Sequence, residues 1–472
     1  MKMKRMIAML LALVMVLSLT ACAGSQTSDD ATPASDSQPE QTQTPAQDTA
    51  DTSASGDVVE LSYWYAMDGA GGQIIERQIE TFNETIGAEQ GIHVTGVYQD
   101  WPGTNALTAA MTTDDVDNMP DVIHMFSEYV ALIRNWDRTV WIEDYINGDN
   151  SSVAKSDLIA NAVEAYSIDG KMIGVPYAIS ALLLYYNKDQ LAQAGFDAPP
   201  TTIDEMASML PALVEKADAS YGLNVRLDQF EFENFIDTQG ENGTYFGNNN
   251  SGHAGQMTEL ACQDQIAAFL TEWQKVIDSG AYKETKDSMN EEFAQGLNSM
   301  CIMSSARIPT IANLVGDTFE WGVAAIPKVN GSDVGGAYPS GSGLFMVDRG
   351  DPARVAASWT FVQYLISADA QAMWLDGCGY VPVNVNAEQT ETYINAVTNE
   401  PRLQVPFNIL KSTPATVVSS YCPDNQSVNT IIQDAMLSFA NGSASKDETY
   451  DAITNGIAAA FADYFRANPI EE

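Results

Sequence analysis

Only three histidines occur in 472 residues, and the five cysteines include no CxxC pair. His93, His124 and His253 form no HxxxH or Cys/His cluster, so no metal site is expected. Basic residues are scarce: 22 Lys and Arg stand against 63 Asp and Glu, for a net charge of -41. Such a chain repels phosphate backbones and anionic lipid, which argues against nucleic acid as a partner. A Walker Gly-Lys-Ser/Thr motif is missing. The glycine-rich stretch at Gly69-Ala70-Gly71 has Ile74 where a dinucleotide fingerprint needs its third glycine, so no nucleotide cofactor is expected. No Ser/His/Asp constellation emerges either, and the acidic candidates for a glycosidase pair, Glu231, Glu233, Glu291 and Glu292, read as solvated helix or loop residues.

What is present begins with Lys2, Lys4 and Arg5, an apolar run from Met6 to Leu19, and Leu19-Thr20-Ala21-Cys22. The run is short for a membrane span and carries the basic flank of an export signal. It resembles a bacterial lipoprotein signal peptide and lipobox over residues 1–22, which implies acylation of Cys22 and a chain held by lipid on the outer face of the cytoplasmic membrane. Residues 23–57 are Ser, Thr, Gln, Asp, Ala and Pro with no aromatic, a composition that cannot offset ordering entropy and reads as a flexible tether. The rest is long enough for two domains of roughly 150 residues or more each.

From Val58 onward, short apolar runs alternate with helical segments, an α/β pattern. "SYWYAMDGAGGQIIERQIETF" reads as a strand, a glycine turn and a helix whose Ile75, Ile79, Phe82 and Ile86 bury one face. The helix start would point out of a sheet edge, where backbone N–H groups can meet a polar ligand, and Trp64 and Asp68 are ligand candidates there. Thr202 and Glu205 have capping-box spacing, Asp351-Pro352 opens a helix with an apolar face of Val355, Trp359, Val362 and Ile366, and Gly377 is the expected stop of its successor. Trp101, beside Pro102 and Gly103, is placed for an exposed aromatic platform of the kind that sugar CH faces require.

Four stretches, "GVPYAISALLLYYNKDQLAQAGFDAPPTTIDEM", "FAQGLNSMCIMSSARIPTI", "WGVAAIPKVNGSDVGGAYPSGSGLFMV" and "AASWTFVQYLISADAQAMWLDGCGYVPV", resemble in order and separation the extracellular solute-binding proteins of bacterial ABC importers for sugars. The likeness is to the group containing maltodextrin and glycerol-3-phosphate binders. It implies a two-lobed periplasmic-binding-protein-like α/β fold of the larger type II class, its lobes joined by hinge strands. Lobe one is expected over 58–180 plus 328–376, and lobe two over 181–327 plus 377–472. The implied partners are a small-molecule carbohydrate and the permease subunits with their cytoplasmic ATPase; a monomer and no enzyme activity are expected.

The same resemblance places Glu128 (with Ser127 competing), Ser180, Ser305, Gly341 and Tyr380 at ligand-contacting positions. Glycerol-phosphate binders carry an arginine where "SVNTIIQDAM" has Asn429, and a carboxamide suits neutral hydroxyls better than phosphate. That favours a neutral sugar, with Arg307 keeping a phosphorylated polyol as the alternative. A ligand-sensing lipoprotein and a secreted glycoside hydrolase are the readings from other classes. Pairing among Cys262, Cys301, Cys378 and Cys422 stays open.

Overall fold

Val59–Tyr65 is a strand whose alternate side chains Leu61, Tyr63 and Tyr65 are all buried on one face. In the computed structural model, which describes residues 58–100 and 103–469, this strand (β1) pairs in parallel with β2 (Ile92–Tyr98) and β3 (Val122–Phe126). After β4 (Thr139–Val140) comes a small hairpin, β5 (Ser167–Ile168) and β6 (Lys171–Met172). Two consecutive strands follow, β7 (Val175–Ser180) and β8 (Leu182–Asn187). The remaining strands are β9 (Tyr221–Asn224), β10 (Tyr282–Lys283), β11 (Asn298–Ser304), β12 (Trp321–Ala325) and β13 (Ser340–Val347). They form two main sheets. The first has the order β2-β1-β3-β13-β4 with β7 also on β13; the second runs β10-β9-β11-β8-β12. This is the two-lobed α/β architecture expected.

Only Ala181 separates β7 from β8, so the chain passes from one sheet to the other through a single residue. All six residues of β7 are buried, the continuous apolar run of a strand covered on both faces. On β8, Leu183 and Tyr185 join the core shared with the first sheet, while Leu182 and Leu184 join the core on the other side. Residues such as Val381, Leu403 and Leu410 still pack in the shared core, and the C-terminal helices Asn425–Ala440 and Lys446–Ala467 pack in the other. Between them, Tyr421 packs with Tyr166 and Phe345, whereas Cys422 belongs to the second sheet's core.

Local details differ from the sequence reading in instructive ways. Gly69 to Gly72 are no separate turn but the first turn of the helix Gly69–Phe82. A Cβ on Gly71 would stand 2.2 Å from Met67 Sδ, so glycine is what lets the strand exit fold back over the helix start. The face Ile75, Ile79 and Phe82 is buried as spacing requires. Thr202 caps its helix by accepting from Glu205 N–H at 3.1 Å, but the Glu205 carboxylate turns to Thr201 instead. The helix Pro352–Leu365 starts at Asp351, as the Asp-Pro pair implies, whereas the next helix, Ala368–Cys378, ends on left-handed Gly379 rather than Gly377. Gly377 is instead a packing glycine, with its Cβ position 2.2 Å from Ile74 Cδ1. The four described cysteines are unpaired.

His124, in the middle of β3, is 2% exposed, with Nε2 in hydrogen-bond contact with Ser342 Oγ on β13 and its ring edge-on to Tyr177. Burial depresses its pKa to about 3. An unfolded histidine takes up a proton below about 6.5 while the folded one does not, so stability is lost as pH falls from 6.5 toward 3. The expected slope from this residue is up to about 1.4 kcal/mol per pH unit. Urea unfolding of the wild type and His124→Gln between pH 4.5 and 7.5 checks it: the difference between the two should shrink as the pH falls.

Candidate ligand-binding site

A cavity of about 830 Å³ opens between the two halves. One wall comes from the end of β3 and the short helix after it, Phe126 to Leu132, together with Ser340 and Gly341 at the start of β13. The facing wall comes from two helix N-termini, Asp228 to Glu233 and Cys422 to Asn429, with Tyr338 and Tyr464 completing it.

Each helix start is built by local sequence. Asp228 Oδ1 accepts from Phe230 N–H at 3.2 Å, and Glu231 reaches back to Asp228 N–H at 3.4 Å, a capping box. Lys286 bonds to both carboxylates. Burial pushes the Glu231 carboxyl well up; at Asp228 the bonds from Glu231 and Lys286 outweigh burial and hold the pKa low. At the second helix, Asp424 Oδ1 accepts from Ser427 N–H at 3.2 Å. The two starts are tied together, because Asn429 Oδ1 accepts the N–H of Gln229 at 3.0 Å.

Glu233 is 1% exposed and lies on the cavity wall, accepting from Gln229 Nε2 at 3.1 Å and from Ser420 N–H at 2.5 Å. One turn further, Asp237 is fully buried, and burial followed by the Glu233 charge pushes its pKa well up. Asp237 is therefore neutral and Glu233 carries the charge of the pair. This corrects the sequence reading for Glu231 and Glu233: both are buried, because the helix Gln229–Asp237 is covered on nearly all faces. Glu291 is exposed, and Glu292 is half-buried on Lys283.

Of the residues singled out in the sequence, Gly341 and Asn429 line the cavity. Glu128 lies in the short helix Ser127–Tyr129 at its edge, and neighbouring Ser127 lines it; the Glu128 side chain, Trp101 and Cys22 lie outside the described residues. Ser180 sits just behind, with Oγ donating to the Ser340 carbonyl at 3.4 Å. Ser305 is fully buried at the junction between the sheets. Tyr380 packs on Trp374, and burial pushes its pKa up to about 12. Trp64 packs beside Leu107 and Ile123, and Asp68 is exposed at the start of its helix; these four are not part of the cavity wall.

Arg307 faces a smaller cavity of about 230 Å³ that shares Phe230 with the larger one. It is exposed and forms no ion pair among the described residues. Sequence reasoning missed Gln229, Phe230, Tyr338 and the segment Ser419–Gln426 of the main wall. The Asp228-x-x-Glu231 cap before Phe232 was a legible signal for the first two.

A model of the bacterial extracellular solute-binding protein family matches residues 78–401. The sn-glycerol-3-phosphate-binding periplasmic protein UgpB of Agrobacterium fabrum is 23% identical over 368 residues, covering 76% of this chain and 81% of that protein. Its counterpart in Rhizobium meliloti is 25% identical, covering 70% and 77%. In fold, the cyclic α-maltosyl-1,6-maltose binding protein of Arthrobacter globiformis matches with a TM-score of 0.70 at 21% identity, over 86% of this chain and 100% of that one. UgpB of Mycobacterium tuberculosis, solved with glycerophosphocholine, matches with 0.63 at 19%, over 88% and 100%.

Gly341 has φ +139°, and a Cβ there would stand 2.2 Å from the Ala178 carbonyl oxygen, where β13 closes on β7 beneath the cavity. Gly341→Ala is expected to cost about 2–4 kcal/mol through backbone strain and overpacking, read as a lower denaturant midpoint.

Proposed function

Because the chain belongs to the bacterial extracellular solute-binding proteins, we propose that it is the ligand-capturing subunit of an ABC importer and that its ligand is a carbohydrate. The observation that carries the second part is the composition of the 830 Å³ wall. It has rings, hydroxyls, carboxamides and carboxylates but no lysine or arginine. Rings offer platforms for sugar CH faces, and the polar groups match hydroxyls. A phosphate would find three carboxylates in their place: Asp228, Glu233 and Asp424. Two of them cap the helix N-termini that would otherwise attract an anion.

The mechanism follows from the two-sheet arrangement. Ligand touching both walls would bias the molecule toward a closed form, which the permease distinguishes from the open one. We place the hinge at Ala181 and in the segment between Ala325 and Ser340, with lobes over 58–180 plus 328–376 and 181–327 plus 377–472. The protein is read as a binding protein without catalysis, acting as a monomer. The second reading, a phosphorylated polyol, is favoured by Arg307, whose uncompensated charge faces the adjoining 230 Å³ cavity.

Thermal unfolding against a panel of mono- and oligosaccharides, glycerol-3-phosphate and glycerophosphodiesters separates the two. Ligand at 100 times its dissociation constant should add about 2.7 kcal/mol to stability. A shift with a saccharide is expected; a shift confined to the phosphorylated compounds would transfer the function to Arg307.

Anchoring through lipid on Cys22 is part of the same reading. Cys22→Ser is expected to abolish incorporation of labelled palmitate and to stop membrane retention of the exported chain; unchanged labelling would refute the lipobox.

A further inference from the structure

The wall of the main cavity is biased toward hydrogen-bond acceptors. Asp228 is already offset by Lys286, and Asp424 is engaged with the Ser427 N–H, but Glu233 is a charged carboxylate on the wall itself. A carboxylate offers about four acceptor sites, and Gln229 and Ser420 supply two donors to it. Gln229 is 7% exposed and also lines the cavity. Its amide NH₂ donates to Glu233 at 3.1 Å and to Cys422 Sγ at 3.7 Å, so its orientation is fixed with Oε1 as the remaining group. That buried oxygen has no hydrogen-bond partner. The aromatic rings of Phe126, Phe230 and Tyr338 share the same wall.

A carboxylate, an unsatisfied carboxamide oxygen and aromatic faces together are the recognition chemistry of a positively charged nitrogen. A neutral hydroxyl can give its single proton to only one of the two oxygens, whereas an ammonium has three N–H donors and can serve both. Resting on the carbohydrate reading above, we propose that the cleft selects saccharides bearing a protonated amine, with the ammonium seated between Glu233 and Gln229 Oε1. Neutral Asp237 behind Glu233 fits this role, since it leaves a single negative charge for the ligand to meet.

The test is calorimetry on the full wild-type chain with matched sets: glucosamine, galactosamine, mannosamine and glucosamine oligomers, each beside its N-acetylated and its hydroxyl counterpart. The expected result is at least one amine that binds ten-fold or more tightly than both counterparts, with an advantage that shrinks as salt is added. If every amine that binds does so with less than a ten-fold advantage, or only the neutral counterparts bind, the proposal is overturned while the carbohydrate reading stands. If no member of any set binds, and the wider saccharide panel gives no thermal shift either, both fall; binding confined to neutral saccharides of that panel overturns the amine alone.

Discussion

The arrangement depends on one buried residue. Ala181 is the whole of the first link between the two sheets, and both of its backbone groups are held by Ser305: Ala181 N–H donates to Ser305 Oγ at 3.1 Å, and Ser305 N–H donates to the Ala181 carbonyl at 2.8 Å. With no solvent to satisfy these groups, losing either bond would leave a buried polar group unpaired. The link therefore sets where β7 ends and β8 begins, and with it the position of Ser180 against Ser340 and of Gly341 against β7. The second link is fixed by similar means. Gly336 has φ +98° and lies against Thr413, while the Ala337 carbonyl accepts from Asn161 Nδ2 at 3.2 Å. The cavity floor is thus defined by backbone geometry, and its selectivity by side chains carried in from the walls.

Those side chains reflect how a chain with few cations deploys them. Arg349 and Arg354 converge on Asp121, which is 1% exposed and also accepts from the Ser62 N–H at 2.7 Å, locking β1 to the end of β13. Lys283 serves Glu292, and Arg402 pairs with Glu400 while lying 3.7 Å over the Trp321 ring. These cations stabilise the framework, where a partly buried pair gains more than an exposed one. The main cavity is left with carboxylates and no compensating base on its wall.

Much of the fold was legible because its signals are local. Ile75, Ile79 and Phe82 reveal a helix face by spacing, Asp351-Pro352 a helix start, and the unbroken apolar run of β7 and β8 a doubly covered pair of strands. The errors came where tertiary contact decides. Whether a glycine ends a helix or packs under a neighbour cannot be told from Gly377 and Gly379 alone, since one needs a left-handed φ and the other a close Ile74. The helix Gln229–Asp237 is buried nearly all round, so its carboxylates show no polar stripe to identify a solvent face or its absence. The cavity was the least legible feature. Phe126, Phe230, Tyr338, Asn425 and Tyr464 are brought together only by the crossings between sheets, and Gly341 and Asn429 were reached through family resemblance rather than residue chemistry.

Asn429 shows why a single substitution reshapes such a wall. Its Oδ1 accepts the N–H of Gln229, a donor at the first turn of a helix that has no intrahelical acceptor. Arginine has only donors and could not make this bond. Placing one here would leave the Gln229 N–H without its acceptor and free the positive end of the helix dipole for an anion, so charge and backbone would act together in favour of phosphate. Asparagine reverses both effects at once: it withdraws the guanidinium and occupies the helix N–H. The two helix N-termini are thereby joined to each other and capped by their own aspartates, and the cavity they border is left to ligands that donate hydrogen bonds.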